Sequence, residues 1–419
     1  MEIPAEILKE AKECLNCKNP LCRKGCPIST RIPDFISAIK NENLEEAYKI
    51  LQENNIMSDI CSNVCPYEEY CTGHCIKGIK GEPVKVSKLE KYVNLWAREN
   101  NIKYVHKIEN TNNIKVAVIG SGPAGIACGV ELAKKGFKVT IFEKEQEIGG
   151  LLTYGIPGFR LPRNITENLT NRIKNLGIEL KTNIEFGKDI NIKDLKEQDY
   201  KAIFIGIGAD IPSTYKLTDK ECKKIYKSNY ILKEYNAKRI VENLGEVIVI
   251  GGGNVATDSA RAAIRMGAKS STIVYRRDAS KIPARQIELE EAIADGVQII
   301  YNTKVLESDI DDNGNIEKIK CIKTDSSTEK VIDIENSEFY INADTVIFAI
   351  GLKPDKNLIE EQELELDENG LIKIDENCMT NMEGVFAGGD ASQSKATVCM
   401  AIKAGKNAAE GIIRYLENI

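Results

Sequence analysis

Eight of the 13 cysteines fall between Cys14 and Cys75, in two runs whose spacings limit the chemistry open to them. The first run, C-L-N-C-K-N-P-L-C-R-K-G-C-P, supplies Cys14, Cys17, Cys22 and Cys26, followed by Pro27. The second, C-S-N-V-C-P-Y-E-E-Y-C-T-G-H-C, supplies Cys61, Cys65, Cys71 and Cys75. A reducing compartment keeps thiols free, so a group this dense reads as metal or redox chemistry and not as a disulfide framework. A four-iron cubane needs four ligands, and close spacings give two or three from one loop while a distant residue completes the set. A proline after the last cysteine also marks bacterial ferredoxin runs, where it stops the loop from continuing as helix. Two structural zinc sites are the alternative, because C-x2-C serves both chemistries. Zinc modules usually pair two such knuckles or add histidines, whereas these spacings are mostly x3, x4 and x5. His74 reads better as a solvated or outer neighbour than as a zinc ligand.

A second chemistry is written in glycines. G-S-G-P-A-G places Gly120, Gly122 and Gly125 in G-x-G-x-x-G register after a short apolar run. Such glycines permit a tight turn, close backbone approach to a pyrophosphate, and helix-on-strand packing, with the helix N-terminus facing the phosphates. Glu143 closes the next apolar run, where an acid can accept from a ribose 2′-OH. Further on, V-F-A-G-G-D-A sets Gly388, Gly389 and Asp390 before a helical stretch; a glycine pair admits a ligand and the acid can hold a hydroxyl. The pattern restarts with G-G-G-N-V-A, giving Gly251, Gly253 and Ala256, and its second strand ends in Y-R-R-D. Arg276 and Arg277 stand where an NAD site would offer an acid, and guanidinium pairs well with a 2′-phosphate. The spacing therefore points to NADPH over NADH. Hydride transfer between nicotinamide and flavin asks for orientation and water exclusion, so no acid–base residue is expected to be catalytic.

These motifs need strands and helices to hold them. Lys115–Ile119 and Lys138–Phe142 read as strands around a helix at Ala124–Lys135; Val247–Ile250 and Thr272–Tyr275 read likewise around Val255–Met266. Two such starts about 130 residues apart imply two parallel-sheet nucleotide-binding domains. A further helix is expected over Thr397–Arg414. The cysteine region carries short amphipathic helices, with Ile36, Ile39, Leu44, Ala47 and Leu51 in helical spacing around a turn at Asn41–Asn43, and Asn100–Asn113 reads as a polar linker. Cys128, Cys222, Cys321, Cys378 and Cys399 have no C-x-x-C or C-x4-C partner, so each reads as a small buried hydrophobe and electrons are expected to leave through the cysteine region. A net charge of −6 argues against nucleic-acid or anionic-membrane partners. No apolar run reaches membrane-spanning length, and Met1–Glu10 lacks the blocks of a signal peptide, so a cytoplasmic location is expected.

Taken in order, these motifs resemble the glutamate synthase small (beta) subunit family over nearly the whole chain. The match rests on the two cysteine runs, on G-S-G-P-A-G with I-G-G-L-L-T-Y-G-I-P-G-F-R-L-P-R, on V-I-G-G-G-N-V-A-x-D, and on A-G-G-D. The large subunit of NADPH-ferredoxin transhydrogenases and the flavin subunit of dihydropyrimidine dehydrogenase are relatives. The resemblance implies an α/β fold with two Rossmann-like domains, for FAD and NADPH, preceded by an α-helical domain holding two [4Fe–4S] clusters. It implies boundaries at 1–110 for iron–sulfur, 111–215 with 343–419 for FAD, and 216–342 for NADPH. It assigns Cys14, Cys17, Cys22 and Cys75 to one cluster. Cys26, Cys65, Cys71 and, from V-S-K-L-E-K-Y-V, Glu90 go to the other, with Cys61 left out. For FAD it implies Gly120, Gly122, Pro123, Ala124, Gly125, Glu143, Lys144, Gly150, Gly389 and Asp390, with Leu151 to Arg163 near the flavin ring. For NADPH it implies Gly251, Gly253, Asn254, Val255, Ala256, Asp258, Arg276 and Arg277. The implied partner is a large catalytic or acceptor subunit carrying FMN and iron–sulfur, or a ferredoxin-linked one.

Overall fold

The computed structural model describes residues 3–109 and 111–418. Met1 and Glu2 of the opening stretch, Asn110 of the expected linker, and Ile419 lie outside them. The chain divides into two compact units, one running to Thr153 and taking in Phe159–Ala209 and everything from Pro354, the other made of Tyr154–Gly158 and Asp210–Lys353.

The first unit opens with helices Ala5–Lys12 (α1), Leu21–Gly25 (α2), Ile32–Lys40 (α3), Leu44–Asn54 (α4), Ser58–Val64 (α5) and Val86–Glu99 (α6). Apolar residues three and four apart put one face of each longer helix inward. Ile7, Phe35, Ile36, Ile39, Ala47, Leu51, Leu89 and Val93 share one buried cluster, against which Cys14, Cys22, Cys26, Cys71 and Cys75 pack. The expected turn between α3 and α4 is there: Glu42 takes φ +56°, and the Asn43 side chain caps α4 by accepting from Glu46 N at 3.0 Å. Residues 102–109 and 111–114 carry neither helix nor strand, as a linker composition suggests.

Lys115–Ile119 (β1), Pro123–Lys134 (α7) and Lys138–Glu143 (β2) follow the expected grammar to within a residue. Arg163–Asn175 (α8) leads to Glu179–Thr182 (β3), and Tyr200–Ile205 (β4) returns to the other side of β1.

The second unit repeats the plan with Ile225–Lys227 (β5), Glu246–Gly251 (β6), Asn254–Arg265 (α9), Ser270–Val274 (β7) and Gln298–Ile300 (β8). An antiparallel meander follows, Thr303–Ile310 (β9), Ile316–Asp325 (β10) and Ile332–Asn342 (β11). Thr345–Ala349 (β12) then completes a parallel sheet in the order β5-β12-β6-β7-β8. β12 lies past 342, where the inserted part was expected to end: it is buried throughout and pairs in parallel with β6 on one side and β5 on the other. Back in the first unit, Val385–Ala387 (β13) joins β4, making the order β13-β4-β1-β2-β3, and Val398–Leu416 (α10) closes the described chain.

α10 packs on α7 almost backbone to backbone. A Cβ on Gly405 would sit 2.1 Å from the carbonyl oxygen of Ala124 and 3.0 Å from Cβ of Ala127. Gly405→Ala should gain about 1 kcal/mol of helix propensity and lose about 1–3 kcal/mol or more to overpacking. The clash is with main chain, which cannot rotate away, so a net fall in the urea midpoint is expected; an unchanged or higher midpoint would show that the two helices can separate freely.

Candidate cofactor sites

The cysteines sit where helices stop. Cys26 and Cys65 follow the last residues of α2 and α5, and Cys14 lies two residues beyond α1. Cys14, Cys17, Cys22 and Cys75 line one cavity walled by apolar residues such as Ile36 and Val86. Burial pushes the Cys22 thiol up to about 11, and the neighbouring thiols of Cys14, Cys75 and Cys17 add to the effect. The first expected ligand set is thus brought together, with Cys75 arriving from the other run.

A second group forms beside it. Burial raises the Cys71 thiol, with the Glu90 carboxylate and Cys26 adding, and burial likewise raises Cys26, with Glu90 among its neighbours. Cys65 is raised by its hydrogen bond to Cys399 and by burial, with Cys61 and Cys71 nearby. Cys26, Cys71 and Glu90 therefore lie within electrostatic reach of each other, and Cys65 within reach of Cys71. Cys61 is buried close by and takes a hydrogen bond from Asn55 Nδ2 at 3.4 Å. Iron binds thiolate, so loading must displace the protons that burial retains on Cys22, Cys26 and Cys71. A zinc ion would need its ligands about 2.0–2.3 Å from one point. Among the described residues no group of three or more His, Cys, Asp or Glu side chains is arranged to hold a single metal ion of any kind.

Glu90 on α6 is held by a network that spacing could not reveal. Ser58 Oγ donates to its Oε1 at 2.7 Å, and Asn94 Nδ2 donates to Ser58 Oγ and to the Glu90 carbonyl, each at 2.9 Å. Gln52 Nε2 reaches Asn94 Oδ1 at 3.4 Å, and Arg172 Nη1 donates to Gln52 Oε1 at 2.8 Å. Burial pushes the Glu90 carboxyl up to about 7 against the Ser58 hydrogen bond.

At the first glycine turn, Gly120 takes φ +90°, and a Cβ there would lie 2.4 Å from the Gly206 carbonyl oxygen. A Cβ on Gly125 would lie 1.9 Å from the Gly120 oxygen. Gly122, the N-cap of α7, has no protein atom within 4 Å of that position, which leaves an open cradle at a helix N-terminus. Pro123 opens α7 and Ala124 is buried behind it. Glu143 ends β2 and is locked by the turn it faces: it accepts from Ser121 N at 3.0 Å, from Ser121 Oγ, and from Glu145 N at 2.9 Å. Ser121 also accepts from Gly149 N through its Oγ at 3.0 Å, so it ties three loops together, a role the glycine pattern hid. Gly150 comes against Gly122, and Gly389, at φ +74°, comes against Ala124. Lys144 and Leu151 are exposed. Arg163 pairs with Glu147 at 2.6 Å and donates to the Thr153 carbonyl at 3.1 Å.

Asp390 supplies the sharpest test of fit. Its Oδ1 is buried with no hydrogen-bond partner, and burial alone pushes the carboxyl up to about 6. A buried acceptor of this kind calls for a donor from outside the protein, such as a hydroxyl of an FAD chain.

At the second turn, Gly251 takes φ +153° with a Cβ position 2.3 Å from the Ala349 oxygen, and Gly253 is open like Gly122. Ala256 and Asp258 are buried on α9, Val255 is exposed, and Asn254 Oδ1 accepts from Arg285 N at 3.0 Å. Arg276 and Arg277 leave β7 with their carbonyls pinned, by Thr324 Oγ1 at 2.8 Å and Asn302 N at 3.0 Å. Arg276 is exposed, and Arg277 is half-buried with Nη2 3.3 Å from the Glu329 carbonyl.

The scattered cysteines need correction. Cys128 and Cys321 are buried as expected, but Cys222 and Cys378 are only half-buried. Cys399 is buried yet not isolated, since its sulfur lies 3.7 Å from that of Cys65.

Residues 114–405 match the pyridine nucleotide-disulphide oxidoreductase family. Residues 2–102 match the family described as dihydropyrimidine dehydrogenase domain II, 4Fe-4S cluster. The glutamate synthase [NADPH] small chain of Escherichia coli (strain K12) is 32% identical over 97% of this chain and 91% of its own. The NAD-dependent dihydropyrimidine dehydrogenase subunit PreT of Escherichia coli O157:H7 is 30% identical over 99% and 95%. Among solved structures, Mycobacterium tuberculosis FprA in complex with NADPH is similar in fold at a TM-score of 0.62, with 16% identity over 73% of this chain and 85% of that one.

The buried Asp390 sets a pH dependence. A carboxyl whose pKa rises on folding favours the folded state at low pH, and that contribution is lost as pH climbs from the usual carboxylate range through about 6. At about 1.4 kcal/mol per pH unit the cost of ionising it is at most about 3 kcal/mol. In urea unfolding of flavin-stripped protein, Asp390→Asn should match the parent near pH 4 and exceed it by up to that amount at pH 7.5. Equal stability at both pH values would mean that water already reaches the carboxylate.

Proposed function

The chain belongs to the pyridine nucleotide-disulphide oxidoreductase family, in its glutamate synthase small-chain branch, and on that premise we propose how its residues do the work. It is an oxidoreductase of the NADPH/FAD kind with an iron–sulfur domain, an electron-transfer subunit like the glutamate synthase small chain. The observation that carries the reading is the interleaving of the two cysteine runs. Cys75 lines one cavity with Cys14, Cys17 and Cys22, while Cys26 neighbours Cys71 and Glu90, and Cys65 neighbours Cys71.

Bound here, FAD supplies the exchange between a hydride and single electrons, and two four-iron clusters supply one-electron carriers. The remaining roles fall to the protein. Gly122 and the N-terminus of α7 leave room for a pyrophosphate; Ser121 holds Glu143 oriented for a ribose; the orphaned oxygen of Asp390 accepts a ligand hydroxyl. Gly253 and the N-terminus of α9 repeat the phosphate cradle in the second unit, with Asn254, Val255, Ala256 and Asp258 on the helix beneath it. Arg276 and Arg277 receive the 2′-phosphate. The first unit's sheet accordingly takes FAD and the second unit's sheet NADPH.

The acceptor is a large catalytic subunit, glutamate synthase-like in the first reading. The 30% identity to the pyrimidine dehydrogenase subunit favours, as a second reading, a pyrimidine-reducing partner. Among the described residues no helix is long and apolar enough to cross a membrane, and a cytoplasmic setting follows from the reduced thiols the clusters require.

Purified without oxygen, the chain should carry FAD and about eight irons, as two four-iron clusters require; zinc in place of iron would overturn the assignment. The protein that copurifies with it separates the two partner readings. Replacing Arg276 and Arg277 with neutral residues should raise KM for NADPH on the order of tenfold or more, the loss of one or two charge-assisted contacts, while leaving KM for NADH nearly unchanged. Equal losses for both would remove these arginines from the phosphate site.

A further inference from the structure

The thiol of Cys399 has no place in the roles above, although α10 delivers it to the cysteine module. Cys399 is the second residue of α10 and is 2% exposed. Its Sγ lies 3.7 Å from Cys65 Sγ and 3.4 Å from Thr397 Oγ1. Thr397 caps the helix by accepting from Met400 N at 3.4 Å, and its Oγ1 stands 3.5 Å from the Tyr70 hydroxyl. Tyr70, Thr397, Cys399 and Cys65 thus form one chain of hydrogen-bonding groups that ends on a sulfur assigned to iron.

The chemistry of iron binding fixes the direction of its last link. A cysteine bound to iron is a thiolate and has only lone pairs to offer. Cys65 donates to Cys399 as a free thiol; once Cys65 is a thiolate, the proton between the two sulfurs belongs to Cys399. Hydrogen bonds to ligand sulfur withdraw charge from the iron and favour the reduced cluster, and burial strengthens them. We propose that Cys399 is a positioning residue that donates a hydrogen bond to Cys65 Sγ and so raises the potential of the cluster held by Cys26, Cys65, Cys71 and Glu90. This rests on the reading of Cys65 as a ligand.

The test is an anaerobic EPR redox titration of the iron-loaded full chain. Cys399→Val removes the donor at similar volume, Cys399→Ala does so should the larger side chain fail to pack, and Cys399→Ser keeps a donor. Iron and sulfide should stay at the parent's level in all three. In the Val or Ala variant one of the two cluster signals should shift to lower potential. The oxidised-to-reduced ratio at fixed potential should rise roughly tenfold, about 59 mV for one electron. The Ser variant should move back toward the parent. An unmoved midpoint would reduce Cys399 to packing, and a loss of iron would make it a ligand; either overturns the proposal. The premise has its own control: Cys65→Ser should abolish or alter that same signal, and a variant with full iron and both signals intact would show that the ligand assignment had failed instead.

Discussion

The close packing of α10 on α7 is the constraint on which the first unit depends. Gly405 lets the two backbones meet at the Ala124 carbonyl, and each helix begins at chemistry. α7 starts at the open cradle of Gly122, and α10 follows the turn that carries Gly389 and Asp390. The segment leading into α10 and the middle of the helix also hold the cysteine module. Lys395 pairs with Glu69 at 3.0 Å and lies over the Tyr70 ring, and Lys406 donates to the Asn54 carbonyl at 2.6 Å. A movement of α10 would therefore disturb the dinucleotide cradle and the cysteine module at once.

A second restraint works from the other side. Arg172 on α8 donates to Gln52 and to the Ile56 carbonyl, and Gln52 leads through Asn94 and Ser58 to Glu90. A buried carboxyl close to thiols is costly unless polar partners surround it, so the chain of amides and hydroxyls is what makes Glu90 tolerable there. It also limits the rotamers open to Glu90, the preorganisation that its proposed role as a fourth iron ligand would need.

What could be read from the sequence was local. Glycines at Gly120, Gly125 and Gly251 announce turns because a Cβ would strike backbone a few residues away or on the adjacent strand, and that requirement depends on spacing alone. The cysteine runs are legible for the same reason. What escaped depends on contacts across long stretches of chain. Cys399 meets Cys65 across 334 residues, and Gln52 meets Asn94 across 42. The β9–β11 meander escaped for another reason. β11 is largely exposed, so its pattern lacks the apolar alternation that marks a half-buried strand.

The two glycine turns show how one backbone plan serves two nucleotides. Ile119 pairs with Phe142 in the first sheet as Ile250 pairs with Val274 in the second. The residue after each pair is then equivalent: Glu143 in one, Tyr275 in the other. The middle residue of each turn changes with it. Ser121 binds Glu143, whereas Gly252 faces Tyr275, whose ring would lie 2.4 Å from any Cβ at that position. On the proposed assignment, exchanging serine and acid for glycine and an aromatic removes a negative charge that would repel a 2′-phosphate, and the next two residues, Arg276 and Arg277, would supply the positive charge to attract it. Neither change suffices alone. Arginines beside a retained carboxylate would be partly neutralised by it, and an uncharged slot without arginines would give a phosphate nothing to bind. On that assignment, preference for the phosphorylated nucleotide would be shared by four residues: Gly252, Tyr275, Arg276 and Arg277.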